Sequence, residues 1–219
     1  MAISTKAKTI DRFTWWRTPV WEFNTGLPTE FNDEVIKEIV SIGDEIASDP
    51  NPKNSLFDYS RPNFDFLKSV ITYTATQELH KDIAEAKELN IALKPVMGWV
   101  NVLGRGESIE VHAHNDASLV ATYYLKAPPF CGDFVYLDGS EMVGEDGAFT
   151  TDRTRLQRIT PEVGKLVITP AYCLHEVQKN NSDNLRVSIS VDLAQVIDEK
   201  APNALVIKSW VNSIKRLRG

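Results

Sequence analysis

The stretch EVHAHND, residues 110–116, places two of the chain's four histidines and a carboxylate within seven positions. His112, His114 and Asp116 follow one another at intervals of two, and in an extended strand side chains at i, i+2 and i+4 share one face. Imidazole nitrogens and a carboxylate oxygen are ligands for a divalent transition metal. A further histidine, His175 in PAYCLHEV, comes just after GKLVITP, a strand-like run that ends at a proline. An iron site that activates oxygen uses two histidines and one carboxylate on one side of the metal, leaving the other positions open. His114, Asp116 and His175 meet that specification. Zinc accepts the same donors, so ligand type alone does not choose the metal.

The run RVSISVDL adds a second chemistry. Arg186 lies eleven residues after His175 and shares a strand face with Ser188 and Ser190, while Val187, Ile189 and Val191 take the other. An inward arginine is a buried charge, costly unless paired. Its partner is either a carboxylate of the chain, with Asp192 at the end of the same strand, or an anionic ligand. Arginine grips a ligand carboxylate through two parallel hydrogen bonds, and Ser188 adds a hydroxyl donor. A metal site beside a carboxylate clamp points to a small dicarboxylic co-substrate.

The elements that must position these residues change character along the chain. FNDEVIKEIVSIGDEIAS reads as a helix with Asn32 as N-cap and apolar Val35, Ile36, Ile39, Val40 and Ile46 near helical spacing. A second helix is expected over residues 64–89, with His80 at its surface or boundary. Short β-rich runs follow from Val96: VMGWVNVL, SIEVHAH, LVATYYL, DFVYLD, KLVITP, CLHEVQ and LRVSISVDL. Short strands at this spacing read as an antiparallel sandwich or barrel. The polar segment 139–160 is too long for a hairpin turn and reads as a lid. The expected organisation is a helical layer over 1–95 packed on the core, a catalytic core over 96–194, and a helical, basic extension over 195–219.

Composition narrows the function classes. With 42% apolar and 25% charged residues the chain is an ordinary globular one. A net charge of −6 gives no general affinity for nucleic acid. The N-terminus lacks the apolar stretch of a signal peptide, and no apolar run approaches the ~20 residues of a membrane span. Cys131 and Cys173 are too far apart in sequence for a metal-type pair. A cytoplasmic protein with no membrane or nucleic-acid partner is expected.

Residues 96–194 resemble the iron(II)- and 2-oxoglutarate-dependent dioxygenases, whose pattern is His-x-Asp, a distal His, and an Arg about ten residues on. Here it reads His114-Asn115-Asp116, His175, Arg186-Val187-Ser188. HAHND followed by ATYYL and LHEVQ looks like the prolyl-hydroxylase branch, and TPVWEF with GWVNVLGRGESIEVHAHN is similar to small bacterial and phage oxygenases. The resemblance implies a mainly β, α+β protein with a double-stranded β-helix (jelly roll) core and helices on one outer face. It implies that His114, Asp116 and His175 hold Fe(II), and that Arg186, Ser188 and Tyr124 bind the far carboxylate of 2-oxoglutarate. With O2 the products would be succinate, carbon dioxide and a hydroxylated amino acid, peptide or protein side chain. Where that branch often has another co-substrate tyrosine, this chain has Leu103-Gly104, with Asn101 as a substitute. Asp116 argues against halogenation, which uses a small residue at that position.

Two other readings stand beside this one. GESIEVHAH and GKLVITPAYCLH fit much of the two cupin signatures, in which His112, His114 and His175 bind the metal and Asp116 is a loop residue. That reading lacks the usual cupin glutamate and gives Arg186-x-Ser188 no role. A binding protein without catalysis is the other. His112 stays open as a third ligand or as a group facing the pocket. Trp15, Trp16, Trp21, Phe64 and Phe66 read as packing anchors, and Cys173 as a small buried hydrophobe. The helical layer and NALVIKSWVNSIKRL could each form a homodimer face.

Overall fold

The computed structural model describes residues 18–82, 90–114, 116–137 and 157–197. Within them β1 (Trp21–Asn24), β7 (Lys165–Pro170), β4 (Leu119–Lys126), β9 (Arg186–Ile197) and β2 (Ile91–Leu103) form a five-stranded sheet in that order. A four-stranded sheet runs β3 (Ile109–His112), β8 (His175–Val177), β5 (Phe134–Tyr136), β6 (Gln157–Ile159). All pairings are antiparallel. This is the jelly-roll plan with helices that the sequence leads one to expect.

The central strands are buried on both faces, and their alternation assigns each face a task. On β4, Leu119, Ala121, Tyr123 and Leu125 join the core beneath the helices. Tyr124 faces the second sheet, in a cluster with Phe134, Tyr136 and Val177. On β9, Val187, Ile189, Val191 and Leu193 pack toward the helices, which turns Arg186, Ser188 and Ser190 into the space between the sheets. A slip of one residue would exchange these sets, so the apolar face fixes the register of the polar one.

Two helices cover the outer face of the larger sheet. α2 (Pro62–Asp82) buries Phe64, Leu67, Ile71, Ala75 and Leu79, an apolar stripe at spacings of three and four. α1 (Thr29–Ser48) begins earlier than expected, with Pro28 at its N-cap position. Asn32 is therefore not the cap. It lies inside the helix, fully buried, and accepts a hydrogen bond of 2.8 Å from the Tyr123 hydroxyl. The preset φ of Pro28 starts the helix upstream, which turns Asn32 onto the sheet. Nor is the N-terminal region purely helical, since β1 pairs with β7.

Phe64 is buried as expected, whereas Phe66 is half exposed and meets Phe31 edge-on at 5.7 Å. His80 is partly buried, its Nε2 2.6 Å from the Ile91 carbonyl. Trp15, Trp16, residues 83–89, most of the expected lid (139–156) and the C-terminal stretch from 198 lie outside the described residues. Among the described residues, no helix is long and apolar enough to cross a membrane.

The helical layer is coupled to the long strand β2 at Gly98. Its N–H donates to Ser55 Oγ at 2.9 Å, and the Phe57 ring lies where a side chain would go: a Cβ at Gly98 would stand 2.0 Å from Phe57 Cδ2. Gly98→Ala is expected to lower stability by about 1–3 kcal/mol, through displacement of the whole ring. A urea titration of both proteins measures it; an unchanged midpoint would mean that the ring moves aside freely.

Candidate metal and co-substrate site

The antiparallel pairing of β3 with β8 sets His112 directly opposite His175. The ladder is irregular between Ile109 and His112, and β3 ends at His112. His114 lies two residues on, its backbone N–H donating to the Ala171 carbonyl at 2.9 Å. One ring nitrogen from each of His112, His114 and His175 lies within 4.8 Å of the other two. The rings stand 4.3 Å (His112–His175), 5.1 Å (His112–His114) and 5.3 Å (His114–His175) apart.

Each imidazole has an oxygen close to its Nδ1, within hydrogen-bond geometry for His112 and His175 and as a close approach for His114. The Nδ1 of His112 is 2.7 Å from the Glu110 carbonyl, that of His175 is 2.8 Å from the Cys173 carbonyl, and that of His114 is 2.9 Å from Asp192 Oδ1. Facing oxygen acceptors, neutral rings carry their proton on Nδ1 and leave the Nε2 lone pair free. Three such lone pairs suit a divalent metal, and carbonyl or carboxylate partners on the far nitrogen are the usual support for ligating histidines. Phe134 stacks on His175 at 4.9 Å and Trp99 on His114 at 5.5 Å. Burial, followed by the field of the two neighbouring histidines, lowers the pKa of His175 to about 4, so the ring is neutral and able to ligate at neutral pH.

Asp116 is exposed, in a bend beyond His114, and is not one of the three grouped residues. Because β3 stops at His112, the strand alternation that would align residue 116 with His114 does not continue that far. The structure thus brings together His114 and His175 of the expected set, with His112 beside them. Cys173 is buried and its thiol is pushed up to about 11 by burial, which leaves it inert.

The other end of the space between the sheets carries the clamp. Arg186 is 1% exposed. Its Nη2 donates weakly to the Tyr124 hydroxyl at 3.4 Å, and Nε and Nη1 have no partner among the described residues. Asp192 does not neutralise it, since six residues of strand separate the two by about 20 Å. Burial pushes Tyr124 up to about 12, so the phenol keeps its proton and can donate it to a ligand. Ser188 is buried beside the arginine, and Ser190 Oγ bonds Asn101 Nδ2 at 3.1 Å and Thr122 Oγ1 at 3.2 Å. The three histidines, Arg186, Ser188 and Ser190 line one cavity of about 430 Å³, mouth included.

Comparison with known proteins agrees with this geometry. Residues 97–192 match the family described as "Putative 2OG-Fe(II) oxygenase". That span is similar to a 2OG-Fe(II) oxygenase core. No curated protein sequence matches the chain. Among solved structures, a Pseudomonas putida prolyl-4-hydroxylase is similar at TM-score 0.50 and 16% identity, over 80% of this chain and 86% of that one. HygX from Streptomyces hygroscopicus, with nickel and 2-oxoglutarate bound, aligns at TM-score 0.51 and 13% identity over 81% and 82%. The α-ketoglutarate-dependent epimerase SnoN of nogalamycin biosynthesis aligns at 0.54 and 15% over 81% and 78%. At such identities the likeness speaks to the fold, which is that of the oxygenase core.

What sequence reasoning missed in this site is the destination of Asp192. The signal was present: continuing the alternation Arg186, Ser188, Ser190 by two residues puts Asp192 on the inward face. Its partner was not legible, because His114 belongs to a segment far away in the chain.

The lowered pKa of His175 has a measurable consequence. Its folded value lies below the ordinary 6.5, so between about 6.5 and 4 the unfolded chain binds the extra proton. Stability of the metal-free protein is therefore expected to be full above pH 6.5 and to decline as pH falls toward 4, by on the order of 3 kcal/mol. Urea midpoints measured across that range with a chelator present check this; His175→Gln should flatten the decline.

Proposed function

We propose that the chain is an Fe(II)- and 2-oxoglutarate-dependent dioxygenase that hydroxylates an amino acid, peptide or protein side chain, with His112, His114 and His175 as metal ligands. The observation that carries the reading is Arg186, a sealed guanidinium with two unpartnered nitrogens at the far end of the cavity that holds the three histidines. A cation so placed is costly unless something anionic arrives. The far carboxylate of 2-oxoglutarate is the anion that fits, received by Arg186, the Tyr124 hydroxyl and Ser188, while its keto-acid end reaches toward the histidines. A cupin-type site would use the same three histidines and leave the arginine without a purpose.

Three imidazole nitrogens, one from each ring and within 4.8 Å of one another, fit the donor preference of Fe(II). Bound iron supplies the redox chemistry by which 2-oxoglutarate and O2 become succinate and carbon dioxide while a substrate C–H becomes C–OH. The protein's part is positioning and shielding. Arg186 and Tyr124 fix the co-substrate's far end, Trp99 and Phe134 hold two of the rings, and the facing sheets exclude water from the cavity. Likeness to a prolyl-4-hydroxylase supports an amino-acid or peptide substrate.

The test is anaerobic. Fe(II) followed by 2-oxoglutarate should give a saturable visible charge-transfer band, and Arg186→Ala should raise the Kd for 2-oxoglutarate by about 100-fold or more. His112→Ala and His175→Ala should lose the metal, whereas Asp116→Ala should keep it. Loss of iron in Asp116→Ala, with retention in His112→Ala, would restore the His114, Asp116, His175 set. Tight metal binding with no band, and no succinate in air, would leave the cupin reading. Prolyl peptides and free amino acids are the first substrates to screen by succinate release.

A further inference from the structure

We infer that Asp192 supplies the carboxylate of this metal centre from one layer out, as a positioning residue that acts through His114. The inference rests on the three-histidine reading proposed above. Three neutral imidazoles would give Fe(II) no negative protein ligand. Asp192 puts a negative charge next to the metal ligands without occupying a position on the ion.

The geometry is specific to His114. Asp192 Oδ1 lies 2.9 Å from His114 Nδ1, with the two side chains 16% and 10% exposed. The oxygen sits off the N–H axis and has no other partner, so it is a buried acceptor that a modest rotation of the ring would satisfy. His112 and His175 instead present their Nδ1 to neutral backbone carbonyls. His114 is thus the one ligand of the three whose basicity is raised by a full charge, which strengthens its bond to a metal.

Both partners are held stiffly. Asp192 stands in the middle of the larger sheet, opposite Val120 on one side and Met97 on the other. The His114 ring stacks with Trp99 at 5.5 Å and with His175 at 5.3 Å, nearly parallel to each. The carboxylate therefore favours the tautomer with its proton on Nδ1, and a modest rotation of the ring within that stack would let it donate to Asp192. Asp116, exposed beyond the strand end, has no such contact.

The experiment is a titration of the metal-free protein with Co(II) alone, followed by calorimetry and by the visible ligand-field bands. Asp192→Asn is expected to keep a single site but weaken it by about 10–100-fold, with altered band positions, while Asp192→Glu recovers part of the affinity. Asp116→Asn should match the parent protein in both readouts. An Asp192→Asn protein with parental affinity and bands would overturn the inference, provided His112→Ala and His175→Ala lose the ion. If those two variants still bind Co(II) as the parent does, the three-histidine reading itself fails. Far-UV circular dichroism of the metal-free Asp192→Asn protein must match the parent; a collapsed fold would make Asp192 structural and also count against the inference.

Discussion

A guanidinium sealed between two β-sheets with most of its donors unused is an arrangement that a folded chain does not keep for stability. Removing such a charge from water costs several kcal/mol, and a well-made ion pair only roughly recovers it. Among the described residues Arg186 has no carboxylate partner, and it is shut off from solvent, with only a long contact to a phenol and the face of that phenol's ring. What allows it is the apolar side of its own strand. Val187, Ile189, Val191 and Leu193 drive β9 into the centre of the larger sheet beneath two helices, and the alternation of the strand carries Arg186 inward with them. The helical layer thus has a functional consequence. It provides the burial that holds an unsatisfied cation in place until an anion enters.

The same strand separates two charges that would otherwise cancel. Arg186 and Asp192 share the inward face, yet lie six residues apart on β9, Arg186 at its start and Asp192 at its middle. The site is therefore polarised: a cation at the closed end, a carboxylate beside the histidines, and serine, threonine and asparagine side chains bonded to one another between them. A dicarboxylate whose near end binds a metal and whose far end meets arginine is complementary to that polarity. A monoanion of similar size would satisfy only half of it.

The three histidines show how backbone geometry can gather side chains. Strand pairing sets His112 against His175, a backbone bond to Ala171 holds His114, and the end of β3 leaves Asp116 in solvent. Two of the rings are oriented by the peptide itself, through carbonyls two residues upstream in each case. This support is local, since it follows from the conformation of the strand and the turn that carry each ring. His114 differs because its support comes from a distant strand.

Much of this protein was determined by sequence alone. Alternating and central strands, the helical stripe and the inward face shared by Arg186 and Ser188 follow from periodicity and residue chemistry, which are local properties. The start of α1 was misread, because the choice between Pro28 and Asn32 depends on whether a buried tyrosine waits for the asparagine. A strand at residues 21–24 went unnoticed because four residues carry too little pattern to announce one. Whether Asp116 or His112 joins the other histidines rests on where β3 ends and what lies opposite it, and only the tertiary structure decided that. The partner of Asp192 has the same character: a side chain's face can be read from its neighbours in the chain, but the group it meets across a sheet depends on segments that the fold brings together.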